Sequence, residues 1–307
     1  MTDSNFIQSS YVQHASSYEN YRDGQEKSDH AKTWMREDNV NAFRLKRVHA
    51  LLDPWARLFP KSTWMTVGDG RYGSDAHYLK QKGLKALATD ISDVLLKEGQ
   101  ALGYIDAYQR ENAEQLSFKT DSFDFAFCKE AYHHFPRPVL ALYEMLRISK
   151  KGVLLIEPID REIVDWHQLL FLKLKDFLKR CLRKPVTKYF FEEDGNFLYA
   201  LSKREIEKVA LGLGLRQVVF KGINDIYLAN MEYAPAVPSD PVFKKMRRKQ
   251  WFYDFFSQLT LNPHNLLFAA ILKEPLSQET VNQLTQEGFE VRNLPANPHI
   301  KLNDKHS

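Results

Sequence analysis

Short apolar runs alternate with amphipathic stretches of ten to fifteen residues between positions 61 and 158, and that rhythm organises the chain. Ser62–Val67, Leu84–Thr89, Phe123–Cys128 and Val153–Ile156 are apolar runs of strand length, and Asp106–Arg110 is a weaker one. The stretches between them read as helices: Ser74–Lys82 stopped by Gly83, Val94–Leu102 ended by Gly103, and Pro138–Ser149 with Gly152 beyond its end. Proline in a first helical turn and glycine past the last one mark helix boundaries. Strands that are apolar throughout and alternate with helices predict a parallel, doubly wound α/β sheet covered on both faces.

Outside this block the pattern changes. Residues 1 to about 30 are polar, with no sustained period. Residues 31–59 carry Val40, Phe43, Leu45, Val48, Leu51 and Leu52 at helical spacing, which predicts an amphipathic helix before Pro60. After Pro158 the alternation stops, so 159–200 reads as an insertion, with strand-like character only at 196–200. Ser202-Lys-Arg-Glu205 opens a helix with a capping box. Gln217–Phe220 and Leu266–Leu272 supply a sixth and a seventh strand, separated by a polar loop and the aromatic stretch Trp251–Phe256. The expected organisation is an N-terminal helical lid (1–60), a first half-domain (61–158), a cap (159–200), a second half-domain (201–275) and a C-terminal extension (276–307) whose tail frays from Lys301.

Composition narrows the class. Hydrophobic residues at 44% and charged residues at 27% suit a globular protein, and a net charge of +4 gives no reason to expect nucleic acid. Cys128 and Cys181 cannot form a disulfide framework and lack neighbours at zinc-ligand spacing. No run of about 18 apolar residues suggests a membrane span. The polar first residues lack the apolar core of a signal peptide, so a cytoplasmic location is expected.

The candidate chemistry begins at Gly68-Asp69-Gly70-Arg71-Tyr72-Gly73, between the first strand and the first helix, with Asp90 twenty residues after Gly70. Glycines there let a ligand approach the backbone, and an acid ending the second strand can grip two ribose hydroxyls. An adenosine-bearing cofactor follows. Alone, this spacing also fits the nicotinamide fingerprint of an NAD(P)-dependent oxidoreductase. Three later features favour another cofactor: Asn112-Ala113-Glu114 after the third strand, Cys128-Lys129-Glu130-Ala131-Tyr132-His133-His134 after the fourth, and Glu157-Pro158 after the fifth.

With these elements in this order, the stretch from Trp64 to Pro158, about a third of the chain, resembles the class I S-adenosylmethionine-dependent methyltransferases, particularly their small-molecule branch. The resemblance implies a seven-stranded Rossmann-like sheet whose last strand inserts antiparallel. It also implies S-adenosyl-L-methionine as cofactor, held by Gly68, Asp69, Gly70, Tyr72, Asp90, Ile91, Asn112, Ala113, Glu114 and Lys129. Two positions depart from the family pattern. Thr66 stands where an acidic residue is usual, and Tyr72 takes the site of a third glycine. The cofactor's amino group would then be held otherwise, by Asp69 or by backbone carbonyls.

For a hydroxyl acceptor a base must take the proton, and histidine suits that role near neutral pH. His133 and His134, at the carboxyl edge of the sheet, are the candidates, with Glu130 as a ligand for acceptor hydroxyls. A structural role for both histidines is the alternative. Glu157 and Asp160 could likewise meet the acceptor. Tyr11, Tyr18, Tyr21 and Trp34 offer aromatic surface for a sugar or ring. In the insertion, Leu170, Leu174, Phe177, Leu178 and Cys181 share one helical face opposite a basic one, and residues 173–188 hold seven Lys/Arg against Asp176 alone. That stretch, 166–184, reads as a cap packing its leucines inward or as a contact with an anionic membrane. The resulting expectation is methyl transfer to a hydroxyl of a small-molecule or glycan acceptor, as in surface-polysaccharide or secondary-metabolite pathways. A non-catalytic scaffold and an NAD(P)-dependent oxidoreductase remain alternatives. A nucleic-acid methyltransferase is also open, although the Asn/Asp-Pro-Pro-Tyr/Phe motif of amino-methylating enzymes is absent after the fourth strand, where Cys128-Lys-Glu-Ala stands.

Overall fold

A computed structural model describes residues 3–183, 189–191 and 197–299. In chain order the helices are α1 (Asp3–Ser17), α2 (Ser28–Lys32), α3 (Val40–His49), α4 (Asp53–Leu58), α5 (Ser74–Gln81), α6 (Val94–Ala101), α7 (Pro138–Ile148), α8 (Trp166–Cys181), α9 (Lys203–Gly212), α10 (Pro241–Gln258) and α11 (Gln278–Gln286). The strands are β1 (Thr63–Val67), β2 (Lys85–Asp90), β3 (Ala107–Arg110), β4 (Phe123–Lys129), β5 (Ser149–Pro158), β6 (Gln217–Ile223), β7 (Leu266–Leu272) and β8 (Glu290–Asn293). They form one sheet in the order β3-β2-β1-β4-β5-β7-β6-β8. The first five are parallel, and β7 runs antiparallel between β5 and β6. The expected α/β sheet is present with one strand more than predicted: β8 lines the edge of β6 within the C-terminal extension.

Alternating side chains of the central strands feed two cores, as strands covered on both faces require. Met65, Val67, Ala126, Cys128, Val153 and Leu155 face α7 and α9. Trp64, Phe125, Phe127, Leu154 and Ile156 face α4, α5 and α11. Trp55 is fully buried in this second core, stacked on Phe59, with Phe125 edge-on and Phe268 tilted against it.

Several elements differ from the pattern reading. The helix expected over 31–59 is three short helices, and α3 and α4 are core rather than lid, because Val48, Leu51, Leu52 and Trp55 cover the back of the sheet. The polar N-terminus forms α1, which has no apolar stripe to announce it. The aromatic stretch at 251–256 lies inside α10, which Asp240 caps by accepting from the amides of Val242 and Phe243. In the cap, α8 is followed by the isolated Phe191–Phe197 bridge. Part of the basic stretch (184–188), part of the strand-like segment (196) and the tail from 300 lie outside the described residues. No helix among the described residues is long and apolar enough to cross a membrane.

Gly152 shows how tightly the antiparallel insertion fits. A Cβ there would lie 2.4 Å from the carbonyl oxygen of Ile271 in β7, a backbone atom with no freedom to yield. Gly152→Ala is therefore expected to lower stability by about 1–3 kcal/mol. Urea unfolding checks this, and an unchanged midpoint would refute the packing argument.

Candidate active site

The carboxyl ends of β1, β2, β4 and β5 open into one cavity of ≈ 2000 Å³, roofed by α1 on one side and α8 on the other. A drug-sized ligand fills roughly 300–1,000 Å³, so there is room for a cofactor and an acceptor together. Loops at this edge of an open α/β sheet are where ligands bind, because the strands end there and the helices begin.

The glycine loop is built for close approach. Gly68 has φ +73°, and a Cβ on it would lie 2.3 Å from the Cβ of Ala131, so only glycine lets β1 and the loop after β4 meet. On Gly70, a Cβ would lie 2.7 Å from the Tyr18 ring and 2.8 Å from an Asp90 oxygen. Tyr72, at the third glycine's place, keeps a left-handed backbone (φ +59°) while its ring is buried against Ala31 and Leu95. Holding a non-glycine residue there costs about 1–2 kcal/mol, which the buried ring offsets. Tyr72, expected among the cofactor ligands, is not among the residues that line the cavity, and its buried ring shapes the loop instead.

Asp90 is the acid that fits a ribose. It is buried and lines the cavity, and it accepts from the Ser92 amide at 2.9 Å with no cation paired to it among the described residues. Burial, opposed by the amides of Ser92, Gly70 and Ile91, lifts its carboxyl to about 6. Ile91, Asn112 and Ala113 continue the same wall. The buried carboxylate and the glycine cradle together have the chemistry that S-adenosylmethionine needs: an acceptor for ribose hydroxyls beside backbone that a ligand can approach closely.

Three other expected cofactor ligands line this cavity with their charges already committed. Asp69 accepts from the amides of Asp75 and Ala76 at 3.0 and 2.9 Å and from the Thr66 hydroxyl at 2.8 Å, so it caps α5. Thr66 is thus the partner of a relocated acid. Burial and the neighbouring Asp75 raise the Asp69 carboxyl well above its ordinary value. Glu114 receives the Arg137 amide and guanidinium and the Tyr11 hydroxyl, tying α1 to the start of α7. Asn112 uses its carbonyl on the Glu114 amide. Lys129 sits 3.3 Å from Asp75, which also meets His49 at 2.7 Å.

After β4 the chain turns through Glu130 in a left-handed conformation (φ +48°), which delivers the Glu130–His134 loop to the cavity. Burial would raise the Glu130 carboxyl, but Arg44, Lys129 and Arg71 outweigh it and hold it below the ordinary value. Arg44 lies 3.3 Å from Glu130 and pairs with Asp225 at 2.7 Å, with Asn41 on its third arm.

His133 is held at the cavity wall. Its Nδ1 lies 2.6 Å from Glu157, and His134 stacks beside it with ring centroids 4.0 Å apart. Glu157 has no exposure and also accepts the amides of Ala131 and Tyr132 at 3.0 Å each. The expected acceptor ligand is therefore a residue that positions His133. Asp160 lies at the cavity mouth and accepts the Glu162 amide. Tyr11, Tyr18, Tyr21 and Trp34 all reach the cavity, with Arg71 4.8 Å over the Trp34 ring.

Pattern reading missed Arg44, His49, Asp75 and Asp225. One signal was present: Val40, Arg44 and Val48 follow one another at i+4, so a cation sits on the buried stripe of a helix. The other three are brought in by tertiary contacts alone.

Comparison with known proteins gives three kinds of likeness. A family described as "Methyltransferase domain" matches residues 65–156. A 2-methyl-6-phytyl-1,4-hydroquinone methyltransferase of Synechocystis sp. is 31% identical over 127 residues, 39% of this chain. The match spans 38% of that relative's length, so less than half of the curated protein is represented. Among solved structures, a S-adenosylmethionine-dependent methyltransferase from Methanosarcina mazei is 16% identical, covering 69% of this chain and 92% of its own, with a TM-score of 0.43. Magnesium protoporphyrin IX methyltransferase from Synechocystis with bound S-adenosylhomocysteine is 14% identical, covering 87% and 96%, also at 0.43. Neither likeness bears on the acceptor.

Ribose hydroxyls donate best to an ionised Asp90. Affinity for S-adenosylhomocysteine should accordingly be full above about pH 7 and decline as pH falls through about 6. Asp90→Ala should weaken binding about 100-fold or more, the loss of two hydrogen bonds to a charged group, and abolish that pH step. Calorimetric titration at several pH values checks both. Without ligand the sign reverses: a carboxyl raised from 3.8 to about 6 on folding makes Asp90 lower stability as pH rises across that window.

Proposed function

We propose that this chain, whose residues 65–156 match a family described as "Methyltransferase domain", is a class I S-adenosylmethionine-dependent methyltransferase that methylates a hydroxyl of a small-molecule or glycan acceptor, with His133 taking the proton. The observation that carries the reading is the His133–Glu157 pair at the cavity wall. Bound S-adenosylmethionine supplies an electrophilic methyl group on a sulfonium, and transfer from it depends chiefly on alignment. An amine or thiolate acceptor needs little more than that alignment, whereas a hydroxyl must lose its proton as the new bond forms. Glu157, enclosed at the end of β5, accepts from Nδ1 of His133 and so leaves Nε2 as the nitrogen to take a proton. The two amides that Glu157 also receives fix the ring's orientation through the backbone.

Glu130 suits an acceptor's other hydroxyls: it is ionised, faces the cavity and is steadied by Arg44. The aromatic wall from Tyr11 to Trp34 offers flat apolar surface for a ring or sugar face. The hydroquinone named for the Synechocystis relative is one hydroxyl-bearing ring of this kind. Both cysteines are unpaired, which suits a reducing compartment, and we place the reaction in the cytoplasm.

A donor-consumption screen over phenols, glycosides, amines and carboxylates tests the assignment. Turnover confined to amines or carboxylates would overturn it. With a hydroxyl acceptor in hand, His133→Ala should lower kcat about 10²–10⁴-fold while leaving affinity for S-adenosylhomocysteine unchanged. Glu157→Gln should lower kcat less and displace the pH–rate profile, because the imidazole loses the charge that sets its basicity.

A further inference from the structure

Helix α8 is inside out. In a globular domain the apolar stripe of a surface helix turns to the core and the charged face to water. Here Trp166, Leu170, Leu174 and Leu178 follow one another at i+4 and point outward, and Leu182 extends the stripe past the helix end. Trp166 is 79% exposed, Leu170 64% and Leu182 68%. Lys173, Asp176, Lys179 and Arg180 line the cavity, together with Leu169, Leu172 and Phe177. None of the helix's sixteen residues is buried. The expectation that the cap packs its leucines inward is therefore not met.

Helix α10 continues the same surface. Trp251 is 68% exposed and stacks on the exposed Phe255, with centroids 5.6 Å apart. Phe256 joins the two helices through Phe171 at 6.2 Å, and Lys175 bridges the rings of Phe171 and Tyr253 at 5.8 and 5.6 Å. Charge is concentrated here as well. Helix α8 holds four Lys/Arg against one Asp, and α10 five against one. Together they carry +7, more than the +4 of the whole chain, so the rest of the molecule is net negative.

We propose that the outward face of α8 and α10 docks on an anionic lipid bilayer, setting the cavity mouth beside the membrane. An interfacial helix combines tryptophan and leucine that enter the headgroup boundary with lysine and arginine that meet anionic lipid. The stripe of α8 supplies the apolar component, and on α10 Lys244, Arg248, Trp251 and Phe255 share one exposed face at i, i+4, i+7 and i+11. A second copy of the chain is a poorer occupant, because the exposed cations of α10, Lys244, Lys245, Arg247 and Arg248, would be brought against their own copies. The inference is independent of which atom the enzyme methylates.

Co-sedimentation of the full chain with vesicles of mixed phosphatidylglycerol and phosphatidylcholine, and of phosphatidylcholine alone, tests it. The mixed vesicles should capture the protein at low ionic strength and the neutral ones should not. Capture should weaken as ionic strength rises from about 0.01 M to about 0.15 M, where the Debye length shrinks from about 30 Å to about 8 Å. A Leu170→Glu, Leu174→Glu, Leu178→Glu variant alters only outward positions and should lose about tenfold or more of the bound fraction. Its affinity for S-adenosylhomocysteine should stay unchanged, showing that it folds. Absence of binding to the mixed vesicles at low salt, or equal binding by the variant, overturns the proposal. So does a dimer, seen by light scattering, that the variant dissociates, since the face would then belong to a second copy.

Discussion

A carboxylate with no exposure at the end of β5 sets the geometry of the site. Buried charge must find donors for both oxygens or lose several kcal/mol, and Glu157 finds them in the amides of Ala131 and Tyr132 and in the His133 ring. Those bonds pull the loop after β4 against the start of β1's loop, where Ala131 leaves room for Gly68 and for nothing larger. The glycine turn, the base and the sheet's central switch are therefore one construction. Disturbing Glu157 reaches the cofactor side and the acceptor side together.

Around this construction runs a chain of buried charges: His49, Asp75 and Lys129 on one side, Glu130, Arg44 and Asp225 on the other. Paired buried ions seldom add net stability, because desolvation consumes most of the attraction. Their effect here is positional. Through His49 and Arg44, α3 is locked to the first turn of α5 and to the loops after β4 and β6, and Glu130 is held ionised where a neutral carboxyl would otherwise be favoured by burial.

Much of this was legible in the chain because period and punctuation coincide. The strands flanking Gly68 and Asp90 are largely apolar and end at turn residues, so their order and the acid at the end of β2 that lines the cavity could be read directly. Helix α1 could not, since its residues carry no stripe and its place depends on Tyr11 reaching Glu114. Glu114, Asp69 and Glu157 occupy loops where a ligand-binding carboxylate and a capping one look identical in sequence. Only the donors around them distinguish the two roles. The stripe of α8 was visible, but amphipathicity names two faces without saying which one turns to water.

The antiparallel insertion of β7 has a consequence for synthesis. β5 pairs along its length with β7, Gly152 opposite Leu272, so its partner is translated some 120 residues later. At about 5–20 residues per second that is a delay on the order of ten seconds. Throughout it, the nascent chain presents an apolar strand, Val153–Ile156, with one edge unpaired, the kind of edge that recruits other chains. The period of greatest aggregation risk thus falls on the ribosome, after the cofactor half has emerged and before its sheet can close.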